Sequence, residues 1–410
     1  LQTLAQEMNI LDIPFEQKTA KNKWKASDIL LRKDSKCIKC LRCVSVCDKV
    51  QGLGVWELRG NGAHANVVVR GGANLSNICS LCGQCVTHCP VGALSARDDT
   101  EKVFAAINNP EKIVVVQVAP AVRTAWCEGL GIAPEVATEK RMAAAMRALG
   151  ADYVFDTNFS ADLTIMEEGN EFTEKITSHD THALPMFTSC CPGWVRFVKM
   201  EYPELVPNLS SAKSPQQMFG ALMKTYFAEK MGYDPKDIFF VSAIPCTAKK
   251  FEVGRPNQAA SGYPDVDVAI TTREVGRMIE KAGIKFRELD DEKFDQPFDI
   301  GSSAGAIFGA TGGVMDAALR SAYYLITGSN PDPDAFAAVG SMEKHSARAM
   351  NRLKTRFFIS FLLEKSSCLY MEIRHLPDAV FTGRPALNAA SSLLSWLPPG
   401  ASRPACRGCG

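Results

Sequence analysis

Cys37, Cys40, Cys43 and Cys47 are spaced C-x2-C-x2-C-x3-C, and Cys79, Cys82, Cys85 and Cys89 repeat that spacing. Nothing else in the chain restricts its folding so severely. Eight thiols this close together are neither core residues nor a disulfide framework; the arithmetic is that of metal ligands. Two-residue loops let neighbouring thiolates reach different irons of one compact cubane, whereas zinc sites usually need only two C-x2-C pairs. Fifteen cysteines in 410 residues, grouped in this way, also point to a reducing, cytoplasmic compartment.

Pro90 follows the last of the eight. The double run is the pattern of bacterial two-cluster ferredoxins, in which the fourth cysteine of each run serves the other cluster. The expected ligand sets are therefore Cys37, Cys40, Cys43 and Cys89 for one 4Fe–4S cluster, and Cys79, Cys82, Cys85 and Cys47 for the second. Asp48 stands where a proline often follows the first run. Neither cluster offers an open iron to a substrate, so two in line imply electron relay.

Beyond these runs the composition is that of an ordinary globular chain, 46% hydrophobic and 22% charged. Basic and acidic side chains number 46 and 45, a net charge of +1. This gives no electrostatic reason to expect nucleic acid or an anionic membrane surface. No run of about 18 apolar residues reads as a membrane span. From about Thr100, strand-like and helix-like patterns alternate. Ile113–Val118 is a near-continuous β-branched run, as in a buried parallel strand. Tyr153–Asp156, Ile238–Ala243 and Asp267–Ile270 read as further strands. Glu135–Leu149 has helical spacing closed by Gly150, and Thr271-Thr272-Arg273-Glu274 reads as a capped helix start. An α/β catalytic domain, sheets flanked by helices, is expected after a small α+β cluster domain, with ligands met beyond the carboxyl ends of the strands.

Two stretches carry further chemistry. Thr188-Ser189-Cys190-Cys191-Pro192-Gly193-Trp194 places adjacent cysteines before a Pro-Gly pair, read as a turn that presents them to a cavity. Ile244-Pro245-Cys246-Thr247-Ala248-Lys249-Lys250-Phe251-Glu252 puts a cysteine at a strand end, with a lysine three residues on. Both are expected to line one site that holds an iron cluster. A third stretch, Gly301–Arg320, is dense in small residues, which suits close helix packing or close approach to a compact cofactor.

Together the two cysteine runs, Thr188–Trp194, Ile244–Glu252 and Gly305–Arg320 resemble the iron-only ([FeFe]) hydrogenases with an N-terminal ferredoxin domain, over residues 1 to about 339. The resemblance implies the iron-only hydrogenase fold and reversible reduction of protons to dihydrogen. It also implies an H-cluster: a 4Fe–4S cubane bridged by cysteine to a two-iron subsite with CO, cyanide and a dithiolate bridge. By motif, Cys191 and Cys246 correspond to cubane ligands and Cys190 to the thiol that gives protons beside the distal iron. Glu168, Glu171 and Ser210 correspond to the family's proton path, the two glutamates sharing a helix face at i and i+3. Lys249 corresponds to the residue that pairs with a cyanide ligand, and Pro120 and Gln216 to the lining of the two-iron pocket. Cys127 and Cys368 match no role. The implied partners are protons and dihydrogen, a redox partner such as ferredoxin or NAD(P)H-linked subunits, and cluster-maturation proteins.

Two departures stand out. Ile244 occupies the usual methionine position before Pro-Cys. No C-x3-C pair follows Cys246, although the family draws its other two cubane ligands from one; Cys406 and Cys409 are spaced C-x2-C. Beyond about Gly340 the strand–helix punctuation gives way to Arg, Ser, Pro and Leu, as in a tail read out of frame or from an incomplete gene. The expected division is 1–27 as the end of an upstream module and linker, 28–100 as the two-cluster domain, 101–340 as the catalytic domain, and 341–410 as an anomalous tail. Leu1 in place of an initiator methionine reads as a chain whose start lies upstream. The rival reading is a non-catalytic iron–sulfur protein of electron transfer or redox sensing; a third is a scaffold for cluster assembly.

Overall fold

Two short antiparallel ladders build the cysteine-rich segment. Leu30–Arg32 (β1) pairs with Leu94–Ala96 (β4), and Trp56–Arg59 (β2) with Asn66–Val69 (β3). The β1–β4 pairing joins the two ends of the segment and returns the second cysteine run to the first. Its core is Leu30, Val55, Trp56, Val67, Leu75 and Leu94 together with Cys47, Cys79 and Cys85. So small an apolar core is of the kind that usually needs staples. The computed structural model describes residues 2–10, 28–133, 135–178, 184–296, 303–308 and 313–332. The expected linker over 11–27 and the tail from 333, with Cys368, Cys406 and Cys409, lie outside the described residues.

The larger layer is a four-stranded parallel sheet in the order β6-β5-β7-β8, from Ile113–Val118 (β5), Tyr153–Asp156 (β6), Ile238–Ala243 (β7) and Val268–Ile270 (β8). Along β5 the side chains alternate. Val114, Val116 and Val118 enter one core, with Met142 and Met146 of the helix Glu139–Leu149 and Val275 and Ile279 of the helix Thr272–Lys281. Val115 enters another, with Phe155, Phe219, Phe227 and Phe240. Both faces are covered, which is why the strand reads as an unbroken apolar run. The expected α/β fold is the one observed.

Three local expectations shift. The helix expected from Glu135 starts at Glu139, because the Thr138 side chain accepts from the Arg141 amide at 3.2 Å and caps it there. The last strand begins at Val268 rather than Asp267; the Asp267 carboxylate accepts from the Phe240 amide and pairs with Lys224, each at 2.7 Å. Pro192-Gly193 is not a turn. Pro192 opens the helix Pro192–Glu201, a position where a fixed φ and a missing N–H cost nothing, and Cys191 is its N-cap. The capped start at Thr271 holds, with a full Thr271–Glu274 capping box.

In the small-residue stretch, the described part packs against the long helix Asn158–Thr177. The Gly305 amide donates to Asp162 Oδ1 at 2.6 Å, and a Cβ at Gly305 would lie 2.6 Å from the Asn158 carbonyl oxygen. Here small residues serve helix packing. No described helix is long and apolar enough to cross a membrane.

Candidate active site

Each cysteine run reverses direction by placing residues in the left-handed region at matching positions: Lys39 and Leu41 in the first, Leu81 and Gly83 in the second. Such a conformation costs a non-glycine residue about 1–2 kcal/mol, so it persists only where the surroundings dictate it. It turns backbone N–H groups toward sulfur. The Leu81 amide donates to Cys79 Sγ at 3.3 Å, with Val55 on Cys47 at 3.3 Å and Ala93 on Cys89 at 3.2 Å.

The thiols sort themselves into two sets across the runs. Cys37, Cys40, Cys43 and Cys89 line one cavity, with Arg32 and Val67 among its other walls. Cys47, Cys79, Cys82 and Cys85 lie close enough to repel one another as thiolates. Burial is the first cause that raises Cys47, Cys79 and Cys85, Cys79 to about 11, so a cluster must displace their protons to bind. Among the described residues no three Cys, His, Asp or Glu side chains converge on a point fit for a single metal ion. Thiols that surround a volume suit a cubane better than a lone zinc.

The second run sits directly on the loop that carries Cys246. The Thr247 hydroxyl donates to the Leu81 carbonyl at 2.6 Å. A Cβ at Gly83, whose φ is +77°, would fall 2.7 Å from Thr247 Oγ1. Cys246 follows the end of β7 and is the N-cap of the helix Thr247–Val253. Pro120 opens the helix after β5, and Val118 and Ala243 are register partners. The two strand ends therefore deliver Pro120 and Cys246 to one edge of the sheet.

Cys190 is electrostatically coupled to Cys191, Glu168, Lys249 and Glu252, and Cys246 to Cys191 and Lys249. Burial pushes the Cys190 thiol up to about 11, with Lys249 opposing the shift. Lys249 is buried; its ammonium donates to the Cys190 carbonyl at 2.7 Å and to Glu252 Oε2 at 2.9 Å. The same oxygen accepts from Ser214 Oγ at 2.9 Å and Gln216 Nε2 at 3.1 Å. Gln216 is thereby turned so that its Oε1, fully buried, meets no protein donor. Its backbone carbonyl accepts from Gln117 Nε2 at 3.2 Å.

Behind Cys190 runs a second line of polar groups. Glu168 is 1% exposed; its Oε1 accepts from the Ser189 amide at 3.2 Å, and its Oε2 has no partner. Burial raises its carboxyl above the ordinary range, opposed by the Ser189 amide and the nearby Ser210 hydroxyl. Ser210 Oγ donates to Glu171 Oε2 at 2.9 Å, and Lys175 pairs with Glu171 Oε1 at 2.8 Å. Burial alone would raise Glu171, but Lys175, Ser210 and Ser211 hold it below the ordinary range. One buried carboxyl that favours its proton thus lies beside the hydroxyl that donates to one that favours ionisation.

Residues 112–362 match the family described as the iron-only hydrogenase large subunit, C-terminal domain. The chain belongs to the iron-only hydrogenase family. Residues 27–95 match the ferredoxin-like domain of NADH-quinone oxidoreductase subunit 3. The NADP-reducing hydrogenase subunit HndD of Solidesulfovibrio fructosivorans is 46% identical over 349 residues, 84% of this chain and 60% of that protein. The chain therefore spans less than two thirds of that relative's length. A variant of the apo [FeFe]-hydrogenase HydA1 from Chlamydomonas reinhardtii is structurally similar, with a TM-score of 0.51 and 47% identity, covering 57% of this chain and 60% of that one. The chain is also similar to a cytosolic Fe-S cluster assembly factor, narfl, of Xenopus tropicalis, 31% identical over 271 residues, 62% of this chain and 56% of that protein.

For this iron-only hydrogenase relative, the described residues fit the family's cofactors in two respects. Two sets of four thiols suit two 4Fe–4S clusters. Around Cys190, Cys191 and Cys246, the Lys249 ammonium, which spends two of its three N–H groups on Cys190 and Glu252, suits a group that carries negative charge. Two further thiols for a third cubane are not among the described residues. Sequence reasoning gave no role to Glu252, Ser214, Gln117, Thr247 or Arg196. Glu252 was within reach as the residue three after Lys249 on a helix; the others needed the fold.

Proposed function

We propose that this chain interconverts protons and dihydrogen at an H-cluster held in part by Cys191 and Cys246, with electrons passed along two 4Fe–4S clusters. Cys37, Cys40, Cys43 and Cys89 hold the outer cluster, and Cys47, Cys79, Cys82 and Cys85 the inner. When bound, the H-cluster supplies the iron chemistry that joins protons and electrons. The protein supplies the protons. The observation that carries this reading is the buried line Glu168–Ser210–Glu171 behind Cys190, which an electron carrier has no use for.

Glu171, at the outer end, exchanges protons with the surface. Ser210 donates to Glu171 and can pass a proton inward by rotating its hydroxyl. Glu168 keeps the proton, because its burial disfavours the carboxylate. Cys190 is a neutral thiol at pH 7, positioned by Lys249 on its carbonyl. Lys249 keeps one N–H for an anionic ligand of the cofactor, and the Gln216 amide N–H group, held on Glu252, helps to fix the lysine's counter-charge. HndD, named as a subunit of an NADP-reducing hydrogenase, supports a redox partner subunit linked to NAD(P)H. The test is to mature the chain with the cluster-assembly proteins of a hydrogen-producing host and to measure hydrogen evolution, infrared CO and cyanide bands, and iron content.

A second reading has its own support. Narfl, a relative, is named as a cytosolic Fe-S cluster assembly factor. An electron-transfer or scaffold protein would hold about eight irons in its two ferredoxin-type clusters and show no CO or cyanide bands.

A further inference from the structure

Among the described residues, Arg196 differs from the buried cations Arg32, Lys249 and Lys250 in having no carboxylate partner. It lies half-buried on the helix Pro192–Glu201, the helix that Cys191 caps. Its Nε and Nη2 donate to the Cys79 carbonyl at 3.1 and 2.9 Å, and Nη2 also donates to the Ser76 carbonyl at 2.5 Å. The guanidinium carbon stands 4.3 Å from the centre of the Phe251 ring. Among the described residues, the one titratable group that acts on its charge is the Cys79 sulfur, which becomes anionic as a cluster ligand. Arg32, which lines the cavity of the outer four cysteines, is different: Asp34 neutralises it. The outer site also meets solvent through exposed Cys40, whereas Cys47, Cys79 and Cys85 are buried.

A 4Fe–4S cluster gains a negative charge on reduction, and burial opposes that gain. Net charge nearby, hydrogen bonds to sulfur and exposure set its potential. A fixed cation with no counter-charge, held against a ligand cysteine and partly shielded from water, works against the burial penalty. We propose that Arg196 raises the reduction potential of the inner cluster, so that electrons come to rest beside Cys191 and Cys246. In the step it favours, the outer cluster loses one electron and the inner cluster gains it; no bond or proton changes at Arg196. The inference rests on the cluster ligation proposed above.

Arg196 also caps the short helix Leu75–Ile78 through the Ser76 and Cys79 carbonyls, so the experiment must separate charge from capping. The full chain, with reconstituted clusters, is titrated potentiometrically and followed by electron paramagnetic resonance, with Cys40→Ser marking the outer cluster. Arg196→Gln is expected to lower the inner midpoint alone, by about tenfold in the one-electron equilibrium, or ~59 mV. Arg196→Lys, which loses the fork but keeps the charge, should retain most of the native value. Ser76→Asp, at an exposed position, gives the arginine a carboxylate and should move the inner midpoint the same way, even where Arg196→Gln fails to fold. Equal shifts for Gln and Lys, an unmoved inner midpoint, or an equal shift of the outer cluster would each overturn the proposal. An unaltered chain that binds only one cluster overturns the ligation reading itself.

Discussion

The Lys249 ammonium donates to the backbone carbonyl of Cys190 at 2.7 Å, tying the helix Thr247–Val253 to the paired cysteines. The bond joins residues 59 positions apart and holds the thiol's backbone in place, while Glu252 balances the lysine's charge. Removing the ammonium strands a carboxylate that is 5% exposed. Lys249→Met should therefore cost about 3–5 kcal/mol, read from urea midpoints. Lys249→Met combined with Glu252→Gln should recover part of that loss. A double variant no more stable than the single would show that charge stranding is not the cause.

Glu168 gives a pH-dependent prediction. Its folded pKa is raised, so its contribution is fully present below the unfolded value of about 4.3 and is lost as pH rises through the folded value. Native Glu168 thus weakens the fold at neutral pH relative to pH 4. Glu168→Gln removes that dependence, so the variant should gain stability relative to the parent between pH 4 and pH 7.5. Denaturant midpoints at the two pH values measure it; a difference constant with pH would contradict the raised carboxyl. In matured protein, the same variant and Ser210→Ala should slow hydrogen evolution about 10²–10⁴-fold, the usual range for losing a proton-transfer group. The iron content should stay the same.

Lys250 is fully buried between Asp99 Oδ2 and Glu274 Oε1, each at 2.9 Å, and donates to the Ala269 carbonyl at 2.8 Å. It pins the end of the cysteine-rich segment to the sheet. Burial would raise Asp99, yet Lys102 and Lys250 hold it below the ordinary range. Its stabilising contribution is therefore present above about pH 3.9 and lost as pH falls through the lower, folded value. Lys250→Met should destabilise by at least 3–5 kcal/mol. Adding Asp99→Asn and Glu274→Gln to it should be milder than the single change. Thermal unfolding of the three-site variant against Lys250→Met decides the point.

At Gly83, any side chain meets two penalties: a φ of +77° and the Thr247 hydroxyl. Gly83→Ala is expected to cost about 1–2 kcal/mol for the left-handed backbone alone, and to break the Thr247–Leu81 bond. Thr247→Val, which removes only the hydroxyl, should cost about 1 kcal/mol. Hydrogen exchange at Leu81 and Cys82 should quicken in both. Unchanged exchange in Gly83→Ala would mean that the loop does not rest on Thr247.

Much of this protein was legible without its fold. Cysteine spacing carries the three clustered thiols of each run because a cubane needs several thiolates within a few residues of one another, a purely local demand; the fourth thiol of each set comes from the other run, which the β1–β4 pairing brings close. The unbroken apolar runs of β5 and β7 announce a buried parallel sheet, and Thr271 with Glu274 announces a capped helix, for equally local reasons. What the tertiary structure decided is whatever joins residues far apart in the chain. Only folding buries Glu168, sets Glu252 behind Lys249 and Gln216, lays Leu81 on Thr247, and, among the described residues, leaves one Glu168 oxygen partnerless and Arg196 without a counter-charge beside Cys79. Desolvation and unpaired charge depend on which other segments close over a group, and no local pattern records that.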